Sequence, residues 1–267
     1  MILTLRRIRI IATNTFREAT RNRAFIALMI ASLALILSSL LLAEMAVLGQ
    51  EQRIVQDFGL FFISLMGVII SVTIGVILVH KELERKTIYT VLARPLYRWE
   101  FILGKYAGML LILLVEMGIL AVIWLGVLWV HSVPFQGVLV KALVLIFAEL
   151  TIVSAVALFF SSFSTPILSG VLTLAIFLSG RVVYLIEEML HSTARGGLFN
   201  KAPMLRPFGE ALTRVFPDLS VFNVTQEILL GKEVTNLYVL ESYGYAGCYV
   251  VVMIVAAVLF FRRRDFI

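Results

Sequence analysis

Cysteine is almost absent from this chain of 267 residues, where it occurs once, as Cys248. A single thiol can form neither an intramolecular disulfide nor a thiolate metal cluster. Charged residues are also scarce, at 15% of the chain, whereas hydrophobic residues make up 61%. Since about a quarter of the residues in soluble domains are charged, this composition excludes a soluble globular protein and predicts an integral membrane protein.

Catalytic and nucleotide-binding motifs are lacking as well. The sequence contains no GxxxxGK[ST] phosphate loop, no His-Glu-x-x-His and no Gly-x-Ser-x-Gly, so it offers no usual site for a triphosphate and no evident nucleophile or base. The three histidines and the scattered methionines show no spacing at which metal ligands would converge. We therefore predict that the chain is not an enzyme and has no catalytic residues, bound metal or cofactor of its own.

Long hydrophobic runs are what the sequence does contain. About 20 apolar residues are needed for a helix to cross roughly 30 Å of hydrocarbon, and six stretches meet this requirement. Continuous runs of this length predict helices and not barrel strands. We predict an all-α integral membrane protein in which residues 1–267 form one transmembrane domain. The six predicted spans are Ala24–Leu48, Phe58–His80, Tyr106–Val130, Val138–Phe163, Pro166–Met189 and Leu240–Phe261.

Positive charge predicts the orientation of these spans. The formal net charge of +6 does not indicate a nucleic-acid partner, because most basic residues flank the apolar runs. Fifteen of the 23 Lys and Arg residues lie in the N-terminal segment, in the loop between spans two and three, or in the C-terminal tail. Cytoplasmic loops are enriched in these residues, so we expect both termini in the cytoplasm.

Two segments outside the spans have amphipathic patterns. In residues 1–23, Leu5, Ile8, Ala12, Phe16 and Ala19 recur at helical spacing opposite a face rich in arginine, which predicts an interfacial elbow helix beside the bundle; the alternative is a plain positively charged anchor. Residues 190–239 form the extracytoplasmic segment, with one short helix ended by Pro217 and a second ended by Gly231. This segment leaves room for a partner protein on that side.

The loop of residues 81–105 combines six cations with Glu82, Glu84 and Glu100. Thr87 is suited to cap a short helix whose Ile88, Val91 and Leu92 share one apolar face and which stops before Pro95. Acidic residues among cations suit a protein partner better than a lipid surface. We predict a short cytoplasmic coupling helix here; the alternative is a solvated loop that serves only topology.

This loop, KELERKTIYTVLARPLYRWEFILGK, resembles the coupling region of type-two, exporter-class ATP-binding-cassette permeases. The resembling positions are Glu82, Thr87, Leu92, Pro95, Arg98, Gly104 and Lys105, although many family members have Gly where this chain has Lys86. The basic start, the turn at Phe159 to Pro166 and the tail FFRRRDF are similar too. The segment from Phe216 to Lys232 further resembles the subgroup of permeases linked to multicopper-enzyme maturation.

The resemblance implies a permease subunit that exports an unidentified substrate across or out of a bacterial inner membrane. It implies dimerisation with a second copy or a related permease, and a separate cytoplasmic ATPase that binds ATP and Mg. Coupling to this ATPase would involve Glu82, Thr87, Ile88, Val91, Leu92, Pro95 and Arg98.

Charged residues within the predicted spans leave a different function open. Glu116, Glu149 and Arg181 lie where an unpaired charge costs several kcal/mol, and Glu149 could pair with Arg181 on the next span. Such residues either fix helix register or form part of a substrate pathway. The alternative function is therefore an ion-coupled secondary transporter or channel that uses these residues and needs no ATPase. Gly104 and Gly108 fit GxxxG, a motif through which two helices can approach closely in a dimer.

Overall fold

The protein is an all-α membrane protein, as its sequence predicts. A computed structural model describes residues 2–45, 51–84, 97–133, 136–191, 206–225, 228 and 234–263. Within these ranges it has eight α-helices and one short 3-10 helix. They are α1 Ile2–Thr20, α2 Arg23–Glu44, α3 Glu51–Glu84, α4 Arg98–Val130, α5 Gly137–Ser161, α6 Pro166–His191, α7 Arg206–Val215, the 3-10 helix Ser220–Phe222, and α8 Asn236–Arg263.

Six of these helices are long and apolar enough to cross a membrane, namely α2, α3, α4, α5, α6 and α8. This confirms the six predicted spans, but two helices begin well before their apolar runs, α3 seven residues before Phe58 and α4 eight residues before Tyr106. Helix α3 starts at Glu51 and α4 at Arg98, so the last eight residues of the predicted loop 81–105 are helical. The hydropathy of a run reports contact with lipid, whereas a helix continues for as long as its backbone and caps allow.

Helix α5 is the centre of the bundle. It packs against α3, α4, α6 and α8, and most of its residues are buried. Small residues permit this close packing. A Cβ added at Gly67 of α3 would lie 2.5 Å from the side chain of Leu150, and one added at Gly75 would lie 2.7 Å from the Cβ of Ala157. Helices α2, α6 and α8 lie further out, with many apolar side chains exposed.

Local capping determines where several helices begin. The side chain of Asn22 accepts a hydrogen bond of 3.0 Å from the backbone N–H of Ala24 and so caps the start of α2. At the start of α4, Glu100 accepts one of 3.2 Å from the backbone N–H of Tyr97. Pro166 occupies the first position of α6, where its missing N–H costs nothing.

Helix α1 packs along the first half of α4. Ala12, Thr15 and Ala19 are buried on this face, whereas Leu5 is 61% exposed. Arg7 reaches the buried carboxylate of Glu100, with Nη1 3.4 Å from Oε2. The helix therefore does pack beside the bundle, but its buried stripe includes Thr15 and omits Leu5 of the predicted face.

The GxxxG pair of α4 contacts α1 of the same chain. A Cβ added at Gly104 would lie 2.6 Å from Ile11 Cβ, and one added at Gly108 would lie 2.6 Å from Thr15 Cβ. The motif does bring two helices close together, as its sequence suggests. The face that could have met a second copy is occupied by the elbow helix.

We expect Gly108→Val to destabilise the protein, because its side chain would collide with α1. Inserting methylenes into a packed contact typically costs about 1–3 kcal/mol. Gly118→Val is a matched control on the same helix, since a Cβ there meets nothing within 4 Å and the change in helix propensity is the same. Thermal unfolding of the detergent-solubilised protein should show a lower Tm for Gly108→Val than for Gly118→Val. Equal values would mean that α1 does not pack as described.

The starts of α1 and α4 and the end of α8 lie on one side of the bundle, here called the termini side. Arg98 Nη1, at the start of α4, donates a hydrogen bond of 3.1 Å to the carbonyl of Phe261, near the end of α8. Phe260 packs against Phe159 and Phe163, with ring centroids 5.7 and 5.0 Å apart. The opposite end, called the far side, contains the starts of α3 and α8 and also α7.

Candidate functional site

Three polar side chains from three helices meet inside the bundle. They are Ser64 of α3, Glu149 of α5 and Arg181 of α6, and we call them the polar trio. Arg181 Nη2 donates a hydrogen bond of 2.8 Å to Glu149 Oε2, and Arg181 Nε lies 2.8 Å from Glu149 Oε1. Arg181 Nη2 also donates to Ser64 Oγ at 2.9 Å, and Ser64 Oγ is 3.3 Å from Glu149 Oε2. The structure thus brings Glu149 and Arg181 together and adds Ser64.

Burial differs sharply between the two members of the ion pair. The side chain of Glu149 is fully buried, whereas a quarter of the Arg181 side chain is exposed. The Arg181 guanidinium also lies 5.6 Å from the ring centre of Phe177, one turn earlier on α6, a distance at which a cation is attracted to an aromatic face. The paired charges stabilise each other where either alone would be costly, and they link α5 to α6.

The exposed part of Arg181 faces a cavity of about 510 Å³ between α3, α5, α6 and the far side of the molecule. Arg181 and Ser64 line one part of it, and Asp57, Asn223 and Thr225 supply further polar groups. Asp57 and Ser64 are seven residues apart, two turns of one helix face, or about 10 Å at 1.5 Å per residue. The remaining walls are apolar, formed by Leu60, Phe61, Leu65, Ala142, Ile146, Phe177, Leu178, Phe222 and Val224.

Residues 206–225, 228 and 234–235, called the far-side segment, pack on this end of the bundle. Helix α7 contains the short amphipathic pattern expected before Pro217. The backbone N–H of Leu219 donates to the carbonyl of Gly180 at 3.1 Å, and Lys141 Nζ donates to the carbonyl of Val234 at 2.6 Å. Phe222 is 1% exposed and lines the cavity. Of the second predicted helix, Val224 to Leu230, only Val224, Thr225 and Ile228 are described, and its predicted end at Gly231 lies outside the described residues.

Glu116 stands apart from the polar trio. It lies on α4 and is 1% exposed, and neither of its carboxyl oxygens has a hydrogen-bond partner in the part of the chain that the structure describes. It does not line the cavity. The structure therefore groups two of the three predicted intramembrane residues and leaves the third in a separate buried position.

The predicted coupling residues fall largely outside the described residues. Thr87, Ile88, Val91, Leu92 and Pro95 are among those not described, and for Glu82 only the backbone is described, within the last turn of α3. Arg98 is described and contacts the end of α8 through the carbonyl of Phe261. The coupling role of these residues stays a prediction.

Sequence reasoning missed Ser64 and Asp57 as members of the site. Serine is common in membrane helices, so Ser64 gave no signal without knowledge of which residues lie opposite it. Asp57 precedes the apolar run and was placed outside the span, but α3 begins six residues before it. Among the described residues, no three His, Cys, Asp or Glu side chains lie close enough to hold a metal ion.

Comparison with known proteins gives one family. Residues 9–266 match the family model described as ABC-2 family transporter protein. No curated protein matches the chain closely enough to count as a relative. Because the family match extends over almost the whole chain, including all six spans, the chain belongs to the ABC-2 transporter family and is a membrane permease.

Proposed function

We propose that this ABC-2 family permease is the transmembrane subunit of an exporter driven by a separate cytoplasmic ATPase, which supplies the ATP and Mg site. The observation that carries the proposal is the family match over residues 9–266 on a chain with six membrane-crossing helices. The chain itself has no phosphate loop, so the energy source must be another polypeptide if transport is driven by ATP. A second permease copy or a related permease would complete the transporter.

The orientation follows from charge. The termini side is flanked by fifteen of the 23 Lys and Arg residues, which supports placing it in the cytoplasm of a bacterial inner membrane. The two helix ends that flank the predicted coupling segment, the end of α3 at Glu84 and the start of α4 at Arg98, belong to this side. The far-side segment is then extracytoplasmic.

Helix α3 supports a route from the ATPase to the cavity. It runs without interruption from Glu51 to Glu84, a length of about 50 Å. The coupling segment follows its termini-side end, and Asp57 and Ser64 lie in its far-side half. A push on the coupling segment would therefore move a wall of the cavity, because a packed helix moves as a rigid body.

Affinity purification tests the proposal. We expect the C-terminally tagged chain, extracted from its native membrane in mild detergent, to co-purify with a stoichiometric protein that contains a GxxxxGK[ST] loop. Mass spectrometry identifies the protein, and quantification gives its ratio to the permease. Reproducible purification of the permease without any such ATPase would contradict the proposal and favour the ion-coupled alternative.

A further inference from the structure

The cavity next to the polar trio has a specific charge balance. Arg181 is already paired with Glu149, so the two together contribute no net charge. Asp57 adds a carboxylate that has no ion-pair partner within 4 Å in the described part of the chain, and its buried Oδ1 accepts no hydrogen bond there. Arg53, one turn before Asp57 on α3, is exposed and is not part of the lining, although its charge acts on the Asp57 carboxylate. Lys141 donates to Val234 and does not line the cavity either. The lining thus contains one carboxylate, Asp57, and one cation, Arg181, whose charge is balanced by Glu149 from outside the lining.

The cavity also has hydrogen-bond donors, which belong to the guanidinium group of Arg181. A guanidinium has five N–H donors, and in Arg181 the contacts with Glu149 and Ser64 involve Nε and Nη2. Nη1 has no partner among the described residues, and a quarter of the side chain is exposed. Acceptor oxygens of a ligand can therefore bind Nη1 without breaking the ion pair.

The cavity walls between Asp57 and Arg181 are apolar, so they can accommodate the hydrocarbon part of a ligand. Phe61 and Leu178 line the cavity and are also 56% and 61% exposed on the outside of the described chain. The cavity therefore has a rim of apolar side chains facing the bilayer. A membrane amphiphile could enter there from the side without passing through water.

We propose that this cavity binds a zwitterionic membrane amphiphile, whose ammonium group lies beside Asp57 and whose acceptor oxygens bind Arg181 Nη1. Asp57 lies next to the start of the apolar run and Ser64 about 10 Å deeper, so the ligand would have the orientation of a lipid in the far-side leaflet. An amphiphile with only a negative charge has no ammonium group to pair with Asp57, so we expect it to bind less tightly than a zwitterionic one. This inference rests on the proposed function in that it names a class of substrate for the same permease.

Binding to the purified chain in detergent tests the proposal. The probes are phosphatidylethanolamine and phosphatidylglycerol with the same fluorescent acyl chain, followed by anisotropy. We expect phosphatidylethanolamine to bind about tenfold more tightly, the difference expected from one partly buried charge pair. Asp57→Asn should remove this preference, and Glu51→Gln, a matched loss of charge at the exposed start of α3, should retain it.

Two results would overturn the proposal. One is equal or tighter binding of phosphatidylglycerol by the unaltered protein, and the other is the same preference in Asp57→Asn as in Glu51→Gln. If Asp57→Asn does not fold, Asn223→Asp is the second variant. It adds a carboxylate at an exposed residue of the cavity lining and should increase the preference, so an unchanged preference would also count against the proposal.

This experiment is independent of the ATPase. Failure of the lipid preference with an ATPase still co-purifying would reject only the amphiphile site. A clear preference without any ATPase would instead reject the proposed energy source and leave the binding site in place.

Discussion

Replacement of Arg181 with methionine should strongly destabilise the protein. Glu149 is fully buried, and its carboxylate contacts Arg181 through both oxygens. Methionine would leave this carboxylate with only the Ser64 hydroxyl nearby. Removing one partner of a buried pair typically costs 3–5 kcal/mol; since Arg181 is a quarter exposed, we expect about 3 kcal/mol. The measurement is thermal unfolding in detergent, followed by fluorescence-detected size exclusion.

A second substitution separates the charge from the packing. In the double variant Glu149→Gln with Arg181→Met, no charge remains at the polar trio, and we expect most of the lost stability to return. Recovery of the stability would show that Arg181 stabilises the fold mainly by neutralising the buried charge of Glu149. A double variant as unstable as Arg181→Met alone would contradict this and indicate that the arginine side chain is needed for packing.

The double variant Ile88→Asp with Leu92→Asp should abolish association with the ATPase. These residues share the apolar face of the predicted coupling helix, and two carboxylates there would have to be desolvated in a protein interface. Charged substitutions at the centre of an interface typically cost several kcal/mol, enough to lower recovery of the partner by about a hundredfold or more. The measurement is the ratio of ATPase to permease after purification through the C-terminal tag.

Thr90→Asp with Ala93→Asp is the matched control. It adds the same two charges to the opposite side of the predicted helix, 200° and 140° from Ile88 at about 100° per residue. We expect the ATPase to be retained in this control, and both variants to reach the membrane in equal amounts. Loss of the ATPase in both variants would show that charge, and not an apolar face, governs the interaction. Retention in both would contradict the coupling prediction.

These two predictions concern opposite ends of one helix. The polar trio includes Ser64 of α3, and the coupling segment begins where α3 ends, about 30 Å further along the helix at Glu84. A permease must convert a movement at one end into a change at the other. The Arg181 variants test the far-side end and the Ile88 and Leu92 variants test the termini-side end, so their effects should be separable.

The amino-acid sequence by itself determined the fold class, the six spans and the termini lying on one side. These properties depend on the length and polarity of continuous segments, because a backbone in lipid must satisfy its own hydrogen bonds. It also indicated the two members of the ion pair, since charges are rare within spans and opposite charges at similar depth favour pairing.

Only the tertiary structure decided which residues share a surface. It assigned Gly104 and Gly108 to a contact with α1, placed Ser64 and Asp57 beside the cavity, and left Glu116 apart from the ion pair. A hydrophobic pattern identifies the segments that enter the membrane, but in lipid most helix faces are apolar whether they meet a neighbour or an acyl chain. The pattern therefore does not specify how the helices are rotated, and close packing at small residues determines the rotation.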